Sequence, residues 1–107
     1  MNFDERIEWL LKEIGELRWD IIVFTETWRA DRVEIWRTEH GHTWLGSGGM
    51  HRQRGVGFLL HSRWQHLRFK PLSERVGVLD VKLHTDTVIR VVGVYMPHGG
   101  HSDDSVE

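Results

Sequence analysis

Residues 20–28, Asp-Ile-Ile-Val-Phe-Thr-Glu-Thr-Trp, decide how the chain is read. Ile21 through Thr25 form an unbroken β-prone run without polar alternation. That pattern predicts a strand buried on both faces, in the middle of a covered sheet. The run stops at Glu26. A carboxylate at the carboxyl end of a central strand is aimed by a rigid scaffold into the crevice beyond the sheet, where it suits a metal ligand or an acid/base group. The other reading is that Glu26 simply marks where the strand reaches water.

Upstream, residues 3–18 predict an amphipathic helix. Ile7, Leu10, Leu11, Ile14 and Leu17 recur at helical spacing, and Asp4, Glu5, Arg6, Lys12, Glu13 and Glu16 take the other face. Asn2 and Glu5 make a capping-box pattern at its start, and Gly15 weakens its last turn. Downstream, residues 29–41 alternate charge with Val33, Ile35 and Trp36 and are read as a short helix or an irregular loop. Residues 42–46 and 55–61 are apolar strands joined by a glycine-containing connection, which predicts a hairpin. A short alternating strand at 67–70 ends at Pro71. In 75–83, Leu79, Val81 and Leu83 fall on one face and Asp80 and Lys82 on the other. The tetrad 84–87 reads as a hairpin turn into 88–95, which is mostly apolar on both faces, and residues 96–107 form a polar loop.

The expected class is therefore α+β: one clear N-terminal helix and a mainly antiparallel sheet, forming one domain over residues 1–107. One helix cannot cover both faces of a sheet of five or six strands, so a second sheet or a missing segment must supply the other cover.

Composition narrows the function. The chain is 39% hydrophobic and 28% charged, with a formal net charge of −2, so it is an ordinary globular composition without a global basic field. Any nucleic-acid contact must come from local patches. The absence of cysteine excludes disulfides and thiolate zinc sites and fits a reducing, intracellular compartment. No apolar run is long enough for a membrane span, and the N-terminus lacks a signal-peptide core.

Glu26 at the end of its strand, together with Val94-Tyr95-Met96-Pro97 ending a later one, resembles the endonuclease/exonuclease/phosphatase (DNase I-like) family. The closest likeness is to the apurinic-type endonuclease domains of non-long-terminal-repeat retrotransposons. The order of features matches over nearly the whole chain: helix, strand ending in Glu26-Thr27-Trp28, Trp44-Leu45-Gly46-Ser47-Gly48-Gly49, Arg54-Gly55-Val56-Gly57-Phe58-Leu59-Leu60, then Tyr95-x-Pro97. The resemblance implies a four-layer α/β/β/α sandwich, of which this chain would be the N-terminal half, and an activity of Mg²⁺-dependent (or Mn²⁺-dependent) phosphodiester hydrolysis on DNA. It implies that Glu26 binds the metal and that Tyr95 lies beside the scissile phosphate. A hard octahedral ion takes one or two carboxylates and keeps several waters, so one placed Glu is a principal ligand. A phenol donates to a phosphoryl oxygen without competing for the metal.

The departures are specific. The metal-site asparagine of the family precedes the helix and is not carried onto Asn2. The Asp-x-Asn and Ser-Asp-His motifs of the family, which supply base and catalytic histidine, have no counterpart here, and His98 stands directly after Pro97 where many relatives have asparagine. The expectation is a family domain by descent that is inactive as this chain, the alternative being a non-catalytic fragment or half-domain interaction module. With the second sheet largely missing, an apolar sheet face, with Val92, Val94 and Leu79 on it, is expected to be exposed and to drive self-association.

Other clusters carry both functional and bland readings. Arg52 and Arg54, with Gly48, Gly49 and His51, can offer charge and backbone donors to a phosphate, but an ordinary hairpin loop is the favoured account. Trp28 lines a substrate groove or packs in the core. His40-x-His42 and His98-x-x-His101 have chelating spacings, yet loop polarity explains them better.

Overall fold

The computed structural model describes residues 3–25, 27, 33–48, 55–73, 75–83 and 85–96. They form one helix, α1 (Phe3–Ile14), and seven strands: β1 (Ile21–Thr25), β2 (Glu34–Arg37), β3 (Thr43–Gly48), β4 (Gly55–Leu60), β5 (His66–Pro71), β6 (Val76–Lys82) and β7 (Val88–Val94). The strands make two antiparallel sheets, a four-stranded one in the order β1-β4-β3-β2 and a three-stranded one in the order β5-β6-β7. The fold class is α+β, as expected.

Side-chain alternation sorts the layers. On one face of the larger sheet, Leu45, Val56, Phe58 and Leu60 are buried against Leu79 and Val81 of the smaller sheet. On its other face, Trp44 and Leu59 are buried against Ile7 of α1, with Leu11, Ile22, Phe24 and Trp36 around them. The order is helix, sheet, sheet. A helix stripe on one side and a second sheet on the other remove both faces of the first sheet from water, the dominant favourable term in folding. The cover that one helix cannot provide is thus a second sheet, present with three strands rather than largely missing.

Several expectations are corrected. The central strand is β4, Gly-Val-Gly-Phe-Leu-Leu, buried at every position. Among the described residues β1 pairs only with β4 and stands at the sheet edge, with Val23 partly open to solvent. An unbroken apolar run reports residue preference, whereas the number of neighbours is decided by topology, and β4 has partners on both sides. Residues 34–37 are a strand, neither helix nor loop: Trp36 lies opposite Trp44, and the Nε1 atoms of both donate to Glu34, at 3.4 and 3.3 Å. Tertiary pairing there overrides a charged, weakly patterned sequence. The helix stops at Ile14, short of residue 18, because Gly15 adopts φ +68° and its N–H returns to the Leu11 carbonyl, a left-handed cap that only glycine takes without cost. Leu17 is consequently exposed. The Asn2 cap lies outside the described residues.

The expected hairpins are present. β3 and β4 pair antiparallel, as do β6 and β7, whose turn carries Asp86 at φ 65°. Leu79 is fully buried, not exposed as expected, because it faces the larger sheet. Val92 and Val94 point the other way and are 53% and 45% exposed. Their strand neighbours in register are Val78 and Val76, so the outer face of the smaller sheet carries a valine patch.

Candidate functional site

One rim of the sandwich gathers the segments that carry the sequence-predicted residues. At the end of β1, Thr25 lies opposite Val56, and Val56 lies opposite Ser47 on β3. The β3–β4 connection, which contains Arg52 and Arg54, leaves at Gly48 and returns at Gly55, a paired couple on the same rim. From the second sheet, β7 reaches this rim too. A Cβ built on Gly93 would sit 2.8 Å from Val56 Cγ1 and 3.1 Å from Val23 Cγ1, so the β7 backbone lies directly on the last part of β1 and the start of β4. Two residues on, the Tyr95 amide donates to the Arg75 carbonyl at 2.7 Å, and the half-buried ring packs against the inter-sheet core.

Glu26, Trp28, Arg52, Arg54 and His98 lie outside the described residues; of the six candidates, Tyr95 is the one described. The strands that lead to Glu26 and to Tyr95 end on the same rim rather than on opposite ones. Beside them are two buried hydroxyls that sequence reading did not single out. Ser47 Oγ donates to the Val56 carbonyl at 3.4 Å, whereas Thr27 Oγ1 is buried with no hydrogen-bond partner among the described residues. A buried hydroxyl left unmatched costs free energy, and such groups mark places where another group is expected.

The opposite rim holds a second polar cluster, which sequence reading missed. Asp20 Oδ1 accepts from Arg63 Nε (3.1 Å), from Arg63 Nη2 (2.9 Å) and from Trp64 Nε1 (2.8 Å), and Arg63 also donates to the Trp19 carbonyl. The Trp64 hydrogen bond, followed by that of Arg63, holds the Asp20 carboxyl below its ordinary range. His42 and His61 lie ring to ring at 4.5 Å, with Trp19 edge-on to both at 4.9 and 4.7 Å. The Ser62 amide donates to His42 Nδ1 at 3.0 Å, and the Arg63 amide to His61 Nδ1 at 3.2 Å. Burial first, then the neighbouring cations, push both imidazoles below the usual histidine range. The signal was positional: Trp19-Asp20 precedes β1 and His61-Ser-Arg-Trp64 follows β4, and antiparallel pairing brings such flanks together. The two histidines of the His40-x-His42 pair have separate partners, His40 Nδ1 standing 2.8 Å from Glu8 Oε1.

Comparison with protein-family models, with curated proteins and with solved structures finds no match to this chain.

Proposed function

We propose that this chain is the N-terminal portion of a Mg²⁺-dependent phosphodiesterase of the endonuclease/exonuclease/phosphatase type, of the retroelement nicking kind, and that alone it does not cleave DNA. The observation that carries the reading is the common rim. The strand leading to Glu26, the strand ending at Tyr95 and the connection bearing Arg52 and Arg54 all meet there, on a helix–sheet–sheet stack that agrees with part of a four-layer sandwich. In this reading Glu26 is the metal carboxylate and Tyr95 donates to a phosphoryl oxygen. Arg52 and Arg54 hold the DNA backbone electrostatically, and Trp28 and His98 flank the groove. Thr27 Oγ1, buried and without a hydrogen-bond partner among the described residues, is an oxygen of the hard kind that Mg²⁺ accepts. When bound, Mg²⁺ polarises the phosphodiester and stabilises charge on the leaving oxygen. In-line hydrolysis also needs a group that positions and deprotonates water, and the sequence contains neither an Asp-x-Asn nor a Ser-Asp-His motif to provide it.

Two measurements test this. Mn²⁺ added to labelled protein should broaden the amide resonances of Thr25, Thr27 and Tyr95 selectively, at millimolar concentration, and Glu26→Gln should abolish the selectivity. Supercoiled plasmid incubated with Mg²⁺ or Mn²⁺ should remain un-nicked. Uniform broadening would remove the metal assignment, and nicking lost in Glu26→Gln would overturn the claim of inactivity.

A second reading, a half-domain that functions by association, rests on the outer valine face. Val92 and Val94 lie open beside Val78 and Val76, where a soluble monomer seldom leaves a contiguous apolar patch. Concentration-dependent self-association, relieved in Val92→Lys, is the expected result by light scattering. A monodisperse monomer that binds no hydrophobic dye would eliminate this reading.

A further inference from the structure

Between α1 and the β2–β3 turn opens a cavity of about 830 Å³, backed by Leu11, Trp19 and His42. Its size falls within the ~300–1,000 Å³ of small-ligand pockets. The turn wall is rigid: the Thr38 amide donates to the His42 carbonyl at 2.7 Å, the Gly41 amide to the Thr38 carbonyl at 2.9 Å, and Gly41 takes φ +87°. The back wall is Trp19, held edge-on by His42 and His61. The helix contributes Trp9, which is off the apolar stripe formed by Ile7, Leu11 and Ile14 and is 57% exposed. Core packing gives that indole no reason to be there.

Charge selects the ligand. Among the described residues, Asp4, Glu5, Glu8 and Glu39 line the cavity against a single lysine, Lys12. Glu8 is the telling one. Its side chain is mostly buried, Oε1 meets His40 Nδ1, and Oε2 is shielded from water with no hydrogen-bond partner among the described residues. A carboxylate in that state has unused acceptor capacity in a site of reduced dielectric, where a cationic donor is worth most. His40, the outer cover of Glu8, is itself largely exposed.

We infer that this cavity binds a small organic cation, an amine or guanidinium on an aromatic or aliphatic body. The charged head displaces the His40 ring and donates to Glu8, and the body lies against Trp9 and Trp19, whose ring faces attract cations. The site is at the rim opposite Tyr95 and does not depend on the phosphodiesterase reading.

The test is a titration of the full chain with phenethylammonium, followed through the indole N–H resonances of Trp9 and Trp19, with neutral 2-phenylethanol as the matched control. Saturable shifts are expected with the amine and not with the alcohol. Glu8→Gln should weaken binding about tenfold, the loss of one charge-assisted hydrogen bond. Trp9→Ala, at an exposed position that leaves folding intact, should weaken it as well. An arginine-containing tetrapeptide run in parallel decides whether the cation is free or a side chain. Absence of saturation, equal shifts with the alcohol, or unchanged affinity in both variants would overturn the proposal.

Discussion

Gly57→Ala should destabilise the fold by about 3 kcal/mol, the upper end of what overpacking a core costs. A Cβ at that position would stand 2.2 Å from Trp44 Cη2 and 2.5 Å from Cζ2. The indole cannot retreat. A Cβ on Gly46 of its own strand would likewise stand 2.6 Å from Cζ2, the Phe3 and Phe24 rings lie at centroid distances of 4.8 and 5.4 Å, and Nε1 is held by Glu34. Trp44 therefore lies flat over two glycines, sandwiched between the larger sheet and α1. Against a total stability of roughly 5–15 kcal/mol, such a loss is decisive. The check is a double-mutant cycle by urea denaturation. Trp44→Leu alone costs several kcal/mol through the cavity it leaves, but in that background Gly57→Ala should be nearly harmless. Additive costs in the double variant would show that the clash is not the cause.

Stability should also fall as pH drops below about 6.5, through His42 and His61. Both rings accept a backbone N–H at Nδ1, so neither can be protonated there without losing that bond. His42 is faced by His61, His40 and Arg63, and His61 by Arg63, Arg18 and Asp20, of which only Asp20 favours the cation. Their folded pKa values are depressed below the ordinary 6.5. Above that value folded and unfolded chains are both neutral at these sites, and the stabilisation is complete. Below it the unfolded chain takes up protons first, so stability is lost as pH falls towards the folded values. The lowered carboxyls Asp20 and Asp80 act separately, in the more acidic window below 3.8. Asn in place of His42 keeps an acceptor for the Ser62 amide but cannot titrate. Urea midpoints measured from pH 8 to pH 5 should therefore decline less steeply in His42→Asn, and least in the variant that also carries His61→Asn. An unchanged decline in the double variant would refute the assignment.

How far the sequence could be read depended on whether the deciding interaction was local. The amphipathic stripe of α1 and the β6–β7 hairpin are written in periodicity and turn residues, and both were legible. The β3–β4 hairpin was legible for the same reason. The place of β1 in the sheet was not, because an apolar run carries no record of how many strands flank it. β2 was hidden because what makes it a strand is Trp36 lying opposite Trp44, a partner on another strand. The glycines at 46 and 57 look like punctuation in the sequence, and only the stacked indole explains them. For the candidate site, the strand-end position of Tyr95 was legible. The far-rim cluster was not, since Asp20 and Arg63 meet only after β1 and β4 have paired.

Among the described residues, every strand pairing but one joins neighbours in sequence: β2 with β3, β3 with β4, β5 with β6 and β6 with β7. The exception is β1 with β4, across the whole of β2 and β3. Taken with α1, which precedes β1 directly, this makes the N-terminal segment a covalently tethered ligand of the remaining strands, bound through one ladder, one helix face and the Trp19–Asp20 contacts to His42, His61, Arg63 and Trp64. Its attachment is an intramolecular association whose effective concentration is set by the stretch between Thr25 and Glu34. A chain built in this way is divisible: severed in that stretch, the helix–strand piece and the strand remainder retain complementary surfaces and can reassemble by mass action.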